Sequence, residues 1–297
     1  MNGRNAKLNC RNKKEYMKSF SDLWNGIVKH PFKVGAYAFT AFSVIYTIIQ
    51  AVNEFIPEIT IKGKVAFIAV VLISIAYSLK KVWKPSKVEI QIANSNTSIE
   101  IIFGDLFAQR GIRSIAVNEF FDSKIGKPVS DKSLHGMFIQ KCFGGHPEPF
   151  DKQIETQLVN ITNEEVTKID GKTKKFPIGT TAIVNVNNDQ YLVFALTKTD
   201  INTCKAYSDV DMMWVALSKL WERARIESGG HDINLPLVGS GLSGLGLPTR
   251  DLLNLIILSA ITETKAKEIT HKIRIVLHRD RFEDLDLRDV KKHWEVD

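Results

Sequence analysis

The chain has 297 residues, room for one large domain or two smaller ones, and 44% of them are hydrophobic, an ordinary share for a folded protein. Its three cysteines, Cys10, Cys142 and Cys204, are odd in number and far apart. That excludes a disulfide framework and a zinc spacing and points to a reducing compartment. The net charge of +7 is unevenly spread: residues 1–33 hold eight Lys/Arg against two acids, 80–87 hold four lysines and no acid, and 88–297 hold 26 basic against 29 acidic residues. A slightly acidic main body argues against nucleic acid as a partner, and basic flanks around apolar segments point to a membrane.

In chain order, residues 1–33 read as a basic cytoplasmic segment. The uncharged run from Val34 to Val52 follows. As a helix, 34–52 would reach roughly 28 Å, close to the hydrocarbon thickness of a bilayer. A second uncharged run, Val65–Leu79, extends through Val82 and Trp83 if Lys80 and Lys81 snorkel, giving a span of 65–83. The 33-residue lead and the length of the first run exclude a usual signal peptide. The absence of a polar face disfavours two buried helices of a soluble protein. Residues 34–84 are therefore expected to form a transmembrane helical hairpin. The basic flanks place both termini in the cytoplasm and the Asn53–Lys64 linker outside, as a multi-pass protein of a bacterial inner membrane. Thr40, Ser43, Thr47, Gln50 and Ser74 are the polar side chains available to line a pore.

After Pro85 the pattern changes, and 88–297 reads as a separate domain. Strands are expected at Val88–Ile92, Ser98–Phe103 (ending Gly104-Asp105), Arg113–Val117 (ending at Asn118), Thr181–Val186, Tyr191–Leu196, 233–238 and Lys272–His278. Helices are expected at Ser133–Phe143 with Ser133 as N-cap, at Asp209–Glu227, and at 250–264. In the long helix, Val210, Trp214, Leu217, Trp221 and Ala224 share a stripe and are expected in the core. Lys172–Lys175 reads as a solvated loop. Strands interleaved with helices predict an α/β fold, a three-layer α/β/α sandwich around a mixed sheet. In such sheets ligands bind at the carboxyl ends of the strands, so Asp105, Asn118 and Gly239 would face one crevice if their strands are parallel.

The loop Gly239-Ser-Gly-Leu-Ser-Gly-Leu-Gly246 carries the strongest signal. Glycines there let the backbone approach a ligand and turn several N–H groups toward one point, which suits a phosphate or diphosphate. The following helix start adds partial positive charge. The letters fit the dinucleotide G-x-G-x-x-G pattern, but the loop comes late and no acidic residue ends a strand about 20 positions on. The Gly-Lys-Ser/Thr of a P-loop is missing.

An apolar strand ending Gly104-Asp105-Leu106, a strand ending Val117-Asn118, the segment Pro177–Ala182 before a strand, and a late strand with Gly-Ser-Gly-x-x-Gly together resemble the macro domain. This is an ADP-ribose-binding α/β module, and the likeness extends over roughly Val88–Asp297. The resemblance implies that Asp105 accepts from the adenine amine, with Leu106 beside it, and that Asn118 lies near the distal ribose. It also implies that Gly239, Ser240, Gly241, Leu242, Ser243 and Gly244 hold the diphosphate. The chain departs from the family after Asn118, where Glu119-Phe-Phe-Asp122 replaces the usual Ala-Ala-Asn and loop 123–134 has only Gly126. Ser133, His135 and Gly136 are expected to rebuild the distal pocket, and Glu119 or Asp122 to meet an amine on the ligand. Arg279 or Phe282, after the last strand, is expected to stack on adenine. No catalytic set is expected: Cys142 lies between His135 and His146, but no acidic group is there to orient a base. No metal site and no cofactor are expected either.

A membrane hairpin joined to such a domain resembles the transmembrane-macro effectors of type II Thoeris antiphage defence. That resemblance implies a TIR-domain partner that consumes NAD and releases histidine-ADP-ribose, capture of this signal by the macro domain, homo-oligomerisation, and membrane disruption that aborts infection. The alternative is a membrane-tethered ADP-ribosyl hydrolase or other ADP-ribose-processing enzyme. A third class is a membrane-anchored scaffold that binds no nucleotide.

Overall fold

A computed structural model describes residues 23–24, 27–28, 31–56, 58–241 and 244–295. The chain divides into two compact units, one holding the N-terminal helices and one running from Lys87.

In the first unit, helix α1 (Pro31–Phe55) and helix α2 (Lys64–Val82) pack as a hairpin. Both are long and apolar enough to cross a membrane. They contain the expected runs 34–52 and 65–79 and overrun the first by about a turn at each end. The linker is closed by Asn53, whose side chain donates to the Ile61 carbonyl (3.1 Å) and accepts from the Ile61 N–H (2.8 Å). On α2, Val70, Ser74, Ser78 and Val82 are buried at i, i+4 spacing, while Phe32, Phe39, Val65 and Leu72 are exposed. A hairpin with a small-residue seam and apolar outer faces suits lipid. The hydroxyls of Thr40, Thr47 and Ser74 donate to carbonyls four residues back in their own helices, at 2.9, 2.8 and 2.7 Å. Gln50 donates to the Tyr46 hydroxyl (3.0 Å). Ser74 is also buried in the seam. These groups are satisfied inside one hairpin, so the expected polar pore face is not presented as such.

The second unit is built on one mixed sheet. Its strands are β1 (Lys87–Gln91), β2 (Ser98–Phe103), β3 (Ile112–Asn118), β6 (Thr181–Val186), β7 (Asp189–Thr199), β9 (Ile233–Pro236) and β10 (Lys272–Leu277), in spatial order β1-β2-β10-β9-β3-β7-β6. The short β8 (Ala206–Tyr207) adds to the end of β7, and β4 (Glu164–Glu165) pairs with β5 (Lys174–Lys175) in a separate ribbon. The central strands β2, β10, β9, β3 and β7 are parallel, and β1 and β6 close the edges antiparallel. Buried on both faces, the central strands read as near-continuous apolar runs, which is why 98–103 and 272–277 are legible in the sequence.

Helices α3 (Leu134–Phe143) and α4 (Glu148–Leu158) pack on β3 and β6, where Phe138, Ile139, Phe150 and Ile154 meet Ile115, Tyr191, Val193 and Val184. Helices α5 (Val210–Glu227) and α6 (Thr249–Ala266) pack on each other, with α5 on β7. The buried Trp221 indole donates to Ser259 (3.0 Å), so its N–H is not orphaned. A last helix, α7 (Leu287–Trp294), ends with Trp294 donating to Asn254 (3.0 Å). This is the expected α/β/α sandwich around a mixed sheet.

Two expectations are corrected. In α5 the core stripe is Met213, Ala216, Leu217, Leu220, Trp221 and Ala224, whereas Val210 and Trp214 are exposed. Both arrangements fit a 3.6-residue period, and Met213 wins the core because the helix is turned slightly toward β7. The segment at 172–175 is not a free loop: Lys174–Lys175 forms β5, and Lys172 donates to the Phe121 carbonyl (2.8 Å).

A polar row crosses the sheet in register, from Glu89 through Glu100, Arg274 and Asn234 to Arg113. Glu100 is ion-paired to Arg274 and to Lys87 (2.5 Å), and Arg274 donates to Asn234 (2.7 Å). Burial alone would push the Glu100 carboxyl up, but Lys87 and Arg274 outweigh it and hold it at about 2.

Candidate ligand-binding site

The parallel strands bring their carboxyl ends to one edge, as the crevice argument requires. A cavity of about 720 Å3 opens there, between the ends of β9, β3 and β7. Its volume lies in the roughly 300–1,000 Å3 range of small-molecule sites.

Gly239–Gly241 forms one wall. Gly239 has φ +82°, and a Cβ there would stand 2.8 Å from Leu245 Cδ1 and 3.0 Å from Leu252 Cδ2. Only glycine lets this turn pack onto the start of α6. The loop folds back on its own backbone: the Leu245 N–H donates to the Gly239 carbonyl (3.1 Å) and the Gly244 N–H to the Gly241 carbonyl (2.9 Å). The Ser240 hydroxyl donates to the Leu237 carbonyl (3.0 Å). A Cβ on Gly241 would meet open space. Leu242 and Ser243 lie outside the described residues.

The second wall comes from 128–135 and the start of α3. Ser133 is the expected N-cap; it accepts from the Gly136 N–H (2.9 Å) and donates to the Ser130 carbonyl (2.7 Å). A Cβ on Gly136 would overlap that carbonyl oxygen, so this loop and helix meet only at glycine. His135 lines the cavity and is 7% exposed. Its Nε2 is buried without a hydrogen-bond partner. Burial, with Lys172 adding to it, holds the imidazole down at about 3, so His135 is neutral at physiological pH.

The floor is the end of β3. The β3–β7 register slips between Val117 and Asn118, a bulge that re-aims the strand end. Asn118 lines the cavity, but its carboxamide serves its own turn. The oxygen accepts from the Phe120 (3.2 Å) and Asp122 (3.1 Å) N–H groups, and the nitrogen donates to the Asp122 carboxylate (2.8 Å). Phe121, fully buried, is held at φ +50°, an uncommon position for a bulky residue.

Asp122 does not meet a ligand. It is fully buried, ion-paired to the equally buried Lys168, and accepts from the Lys172 N–H (2.7 Å). Glu119 is buried too, accepts from the Thr199 N–H (3.2 Å), and has its carboxyl pushed up by burial. Both acids brace the turn below the cavity, so the expectation that either faces a ligand amine is withdrawn.

Asp105, Leu106 and Arg279 stand outside the lining of this cavity. Strand order puts the end of β2 three strand spacings, about 14 Å, from the end of β3. Asp105 is exposed, accepts from the Phe107 N–H (3.0 Å) and lies 3.7 Å from Lys141. Leu106 is buried beside it. Arg279 is exposed on the turn after β10, where Phe282 packs edge-on against Phe103 (5.0 Å) and is not free to stack. The residues missed by sequence reasoning are Lys132 and the Thr197, Cys204, Lys205 and Ala206 group at the end of β7. Nothing marks the latter, because the apolar run that predicts β7 stops at Leu196. Among the described residues no group of three His, Cys, Asp or Glu could hold a metal ion.

This mixed sheet, with a backbone-walled cavity at its carboxyl edge and a glycine loop entering a helix, is the architecture of a macro domain. The sequence model of the family "Thoeris protein ThsA, Macro domain" matches residues 99–278, and the chain belongs to that family. Among solved structures it is similar to a point mutant of an Oceanobacillus iheyensis macrodomain, at TM-score 0.47 and 14% identity over 70% of this chain and 96% of that one. The O. iheyensis macrodomain with ADP gives TM-score 0.47 and 13% identity over 70% and 95%. The Trypanosoma brucei macrodomain in complex with ADP-ribose gives TM-score 0.43 and 10% identity over 64% and 68%. No curated protein matches the chain.

Proposed function

We propose that this chain is a membrane-anchored sensor and effector of antiphage defence, whose macro domain captures an ADP-ribose conjugate. Histidine-ADP-ribose, released by a TIR-domain enzyme, is the ligand we assign. The observation that carries the reading is a cavity walled by backbone at Gly239–Gly241, in a chain that also holds two helices fit to cross a membrane. Asp105 takes the adenine amine, Gly239 to Gly244 the diphosphate, and the Asn118–His135 wall the distal ribose and what it carries. The domain binds and does not turn over: Asn118 spends its carboxamide on its own turn and Asp122 is sealed beneath it, so neither is free to activate water.

Ligand capture draws loops 123–134 and 239–246 together, and the closed form self-associates. A ligand shifts assembly only by binding that form better. Oligomerisation crowds the hairpins in the inner membrane, with the macro domain and both termini cytoplasmic, and the bilayer is breached. Because the hairpin's hydroxyls are satisfied within it, we favour crowding damage over a defined polar pore.

Calorimetry on the full-length protein in detergent tests the binding step. Histidine-ADP-ribose should bind stoichiometrically without being consumed, and Asp105→Ala should weaken it. Steady release of ADP-ribose from an ADP-ribosylated substrate would make the chain a hydrolase, and no heat of binding would make it a scaffold. Deleting residues 34–79 should abolish toxicity in cells while ligand binding persists.

A further inference from the structure

The charge of the cavity describes the group beyond the diphosphate. Two charged residues line it, Lys132 on the loop before α3 and Lys205 on the turn between β7 and β8, and both are basic. No Asp or Glu is among the lining residues. The acids nearest in sequence to Asn118 are committed below the floor, Asp122 to Lys168 and Glu119 to the Thr199 N–H. Other lysines in this half of the domain are neutralised: Lys124 by Asp170 (2.9 Å), Lys168 by Asp122 and Lys175 by Glu164 (3.4 Å). The ammonium groups of Lys132 and Lys205 have no such partner among the described residues. His135 is neutral and adds nothing to the charge.

Position separates these lysines from the diphosphate. The glycine loop follows β9, whereas Lys205 follows β7, two strands further along the sheet. At about 4.8 Å per strand that is roughly 10 Å. A diphosphate at Gly239–Gly241 therefore leaves a second, separate region of positive charge at the β7 end, walled by Thr197, Cys204 and Ala206.

We propose that the ligand carries a carboxylate on the far side of its distal ribose and that Lys132 and Lys205 read it. The inference rests on the ADP-ribose-conjugate reading above and makes it narrower: the recognised conjugate is an amino acid with a free carboxyl group, known by its acid end and not by its amine. A lysine ammonium suits this task because it is a point charge on a flexible stem, able to follow a group at the end of a ligand. Partly desolvated charge-assisted hydrogen bonds are stronger than neutral ones, so the carboxylate should count for at least about tenfold in affinity.

The test compares histidine-ADP-ribose with histamine-ADP-ribose, which keeps the imidazole link and the amine and lacks only the carboxylate. Both, with plain ADP-ribose, are titrated into the full-length protein in detergent. The histidine conjugate should bind at least about tenfold more tightly than the histamine conjugate. In a Lys132→Gln/Lys205→Gln variant that ratio should fall to about one, with an unchanged melting temperature to exclude misfolding. Lys205→Glu alone should invert the preference. Equal binding of the two conjugates by the unaltered protein, or a ratio that survives in the double variant, overturns the carboxylate proposal while leaving ADP-ribose recognition standing. Failure of all three compounds to bind overturns both.

Discussion

The two walls of the cavity are built by opposite means. The β9 wall is almost pure backbone: Gly239 turns at φ +82°, the loop bonds to itself, and Gly241 looks onto open space. The Asn118 side is made of side chains that serve one another, with Asp122 collecting bonds from Asn118, Lys168 and Lys172. The first wall leaves N–H groups for an anion and costs little to build. The second spends its polar groups on rigidity and leaves only its rim, Lys132 and Lys205, to meet a ligand. Recognition of the shared part of a nucleotide can rest on backbone, while discrimination between conjugates falls to a few charged side chains on a stiff support.

The contrast breaks most easily at the buried ion pair. Lys168→Met removes the cation beside a fully buried carboxylate, and an uncompensated buried charge of this kind typically costs about 3–5 kcal/mol. Chemical denaturation of the full-length protein in detergent should show a loss of that size. A loss below about 1 kcal/mol would mean that Asp122 is not the keystone of this side.

His135 gives the next largest effect, through pH. Its folded value, near 3, lies below the usual 6.5, so the folded state resists a proton that the unfolded chain accepts. Stability is full above about pH 6.5 and falls with acidity until the folded value is reached. At about 1.4 kcal/mol per pH unit, the domain should lose about 2 kcal/mol between about pH 6.5 and 5. His135→Gln should flatten that slope. Glu100 acts in a lower window: its folded value of about 2 lies under the usual 4.5, so its contribution is present above pH 4.5 and is lost as pH falls toward 2. A slope between about pH 6.5 and 5 that survives His135→Gln would assign it to another group.

The glycine wall should respond to single methyl groups in a position-dependent way. Gly239→Ala forces an L-residue into the left-handed region, at about 1–2 kcal/mol, and presses Cβ against Leu245 and Leu252. Gly241→Ala meets open space and should change stability by less than about 0.5 kcal/mol. Equal losses from the two variants, read as melting temperatures, would show that the wall is not held by Gly239.

The same contrast explains what the sequence disclosed. A backbone-built wall advertises itself, because Gly239, Gly241 and Gly244 are needed wherever the chain must turn tightly and approach a ligand. The apolar strands 98–103, 181–186 and 272–277 and the caps Ser133 and Asp209 were legible for equally local reasons: burial on both faces and an orphan N–H to satisfy. The side-chain wall was not legible. Asp122 reads as a polar residue after a strand, and its role depends on Lys168, 46 residues away, which no local pattern links to it. Lys205 reaches the cavity only because β7 runs on past Leu196 before the chain turns back into β8. The exposed Trp214 shows the same limit, since helical periodicity gives a stripe but its rotation is set by what it packs against.

The smallest structural effect belongs to Asp105, which makes it the cleanest probe of ligand recognition. Its side chain is about half exposed, caps one three-residue turn through Phe107, and meets Lys141 at 3.7 Å. Exposed pairs of this kind contribute roughly 0–1 kcal/mol, so Asp105→Ala should shift stability by no more than about 0.5 kcal/mol. Affinity for any adenine-bearing ligand should still fall, while the ratio between the histidine and histamine conjugates stays fixed, because Asp105 lies at the far end of the strand array from Lys205. If Asp105→Ala changed that ratio, the two ends of the site would be coupled, and a rigid sheet edge with independent anchors at β2 and β7 would no longer describe it.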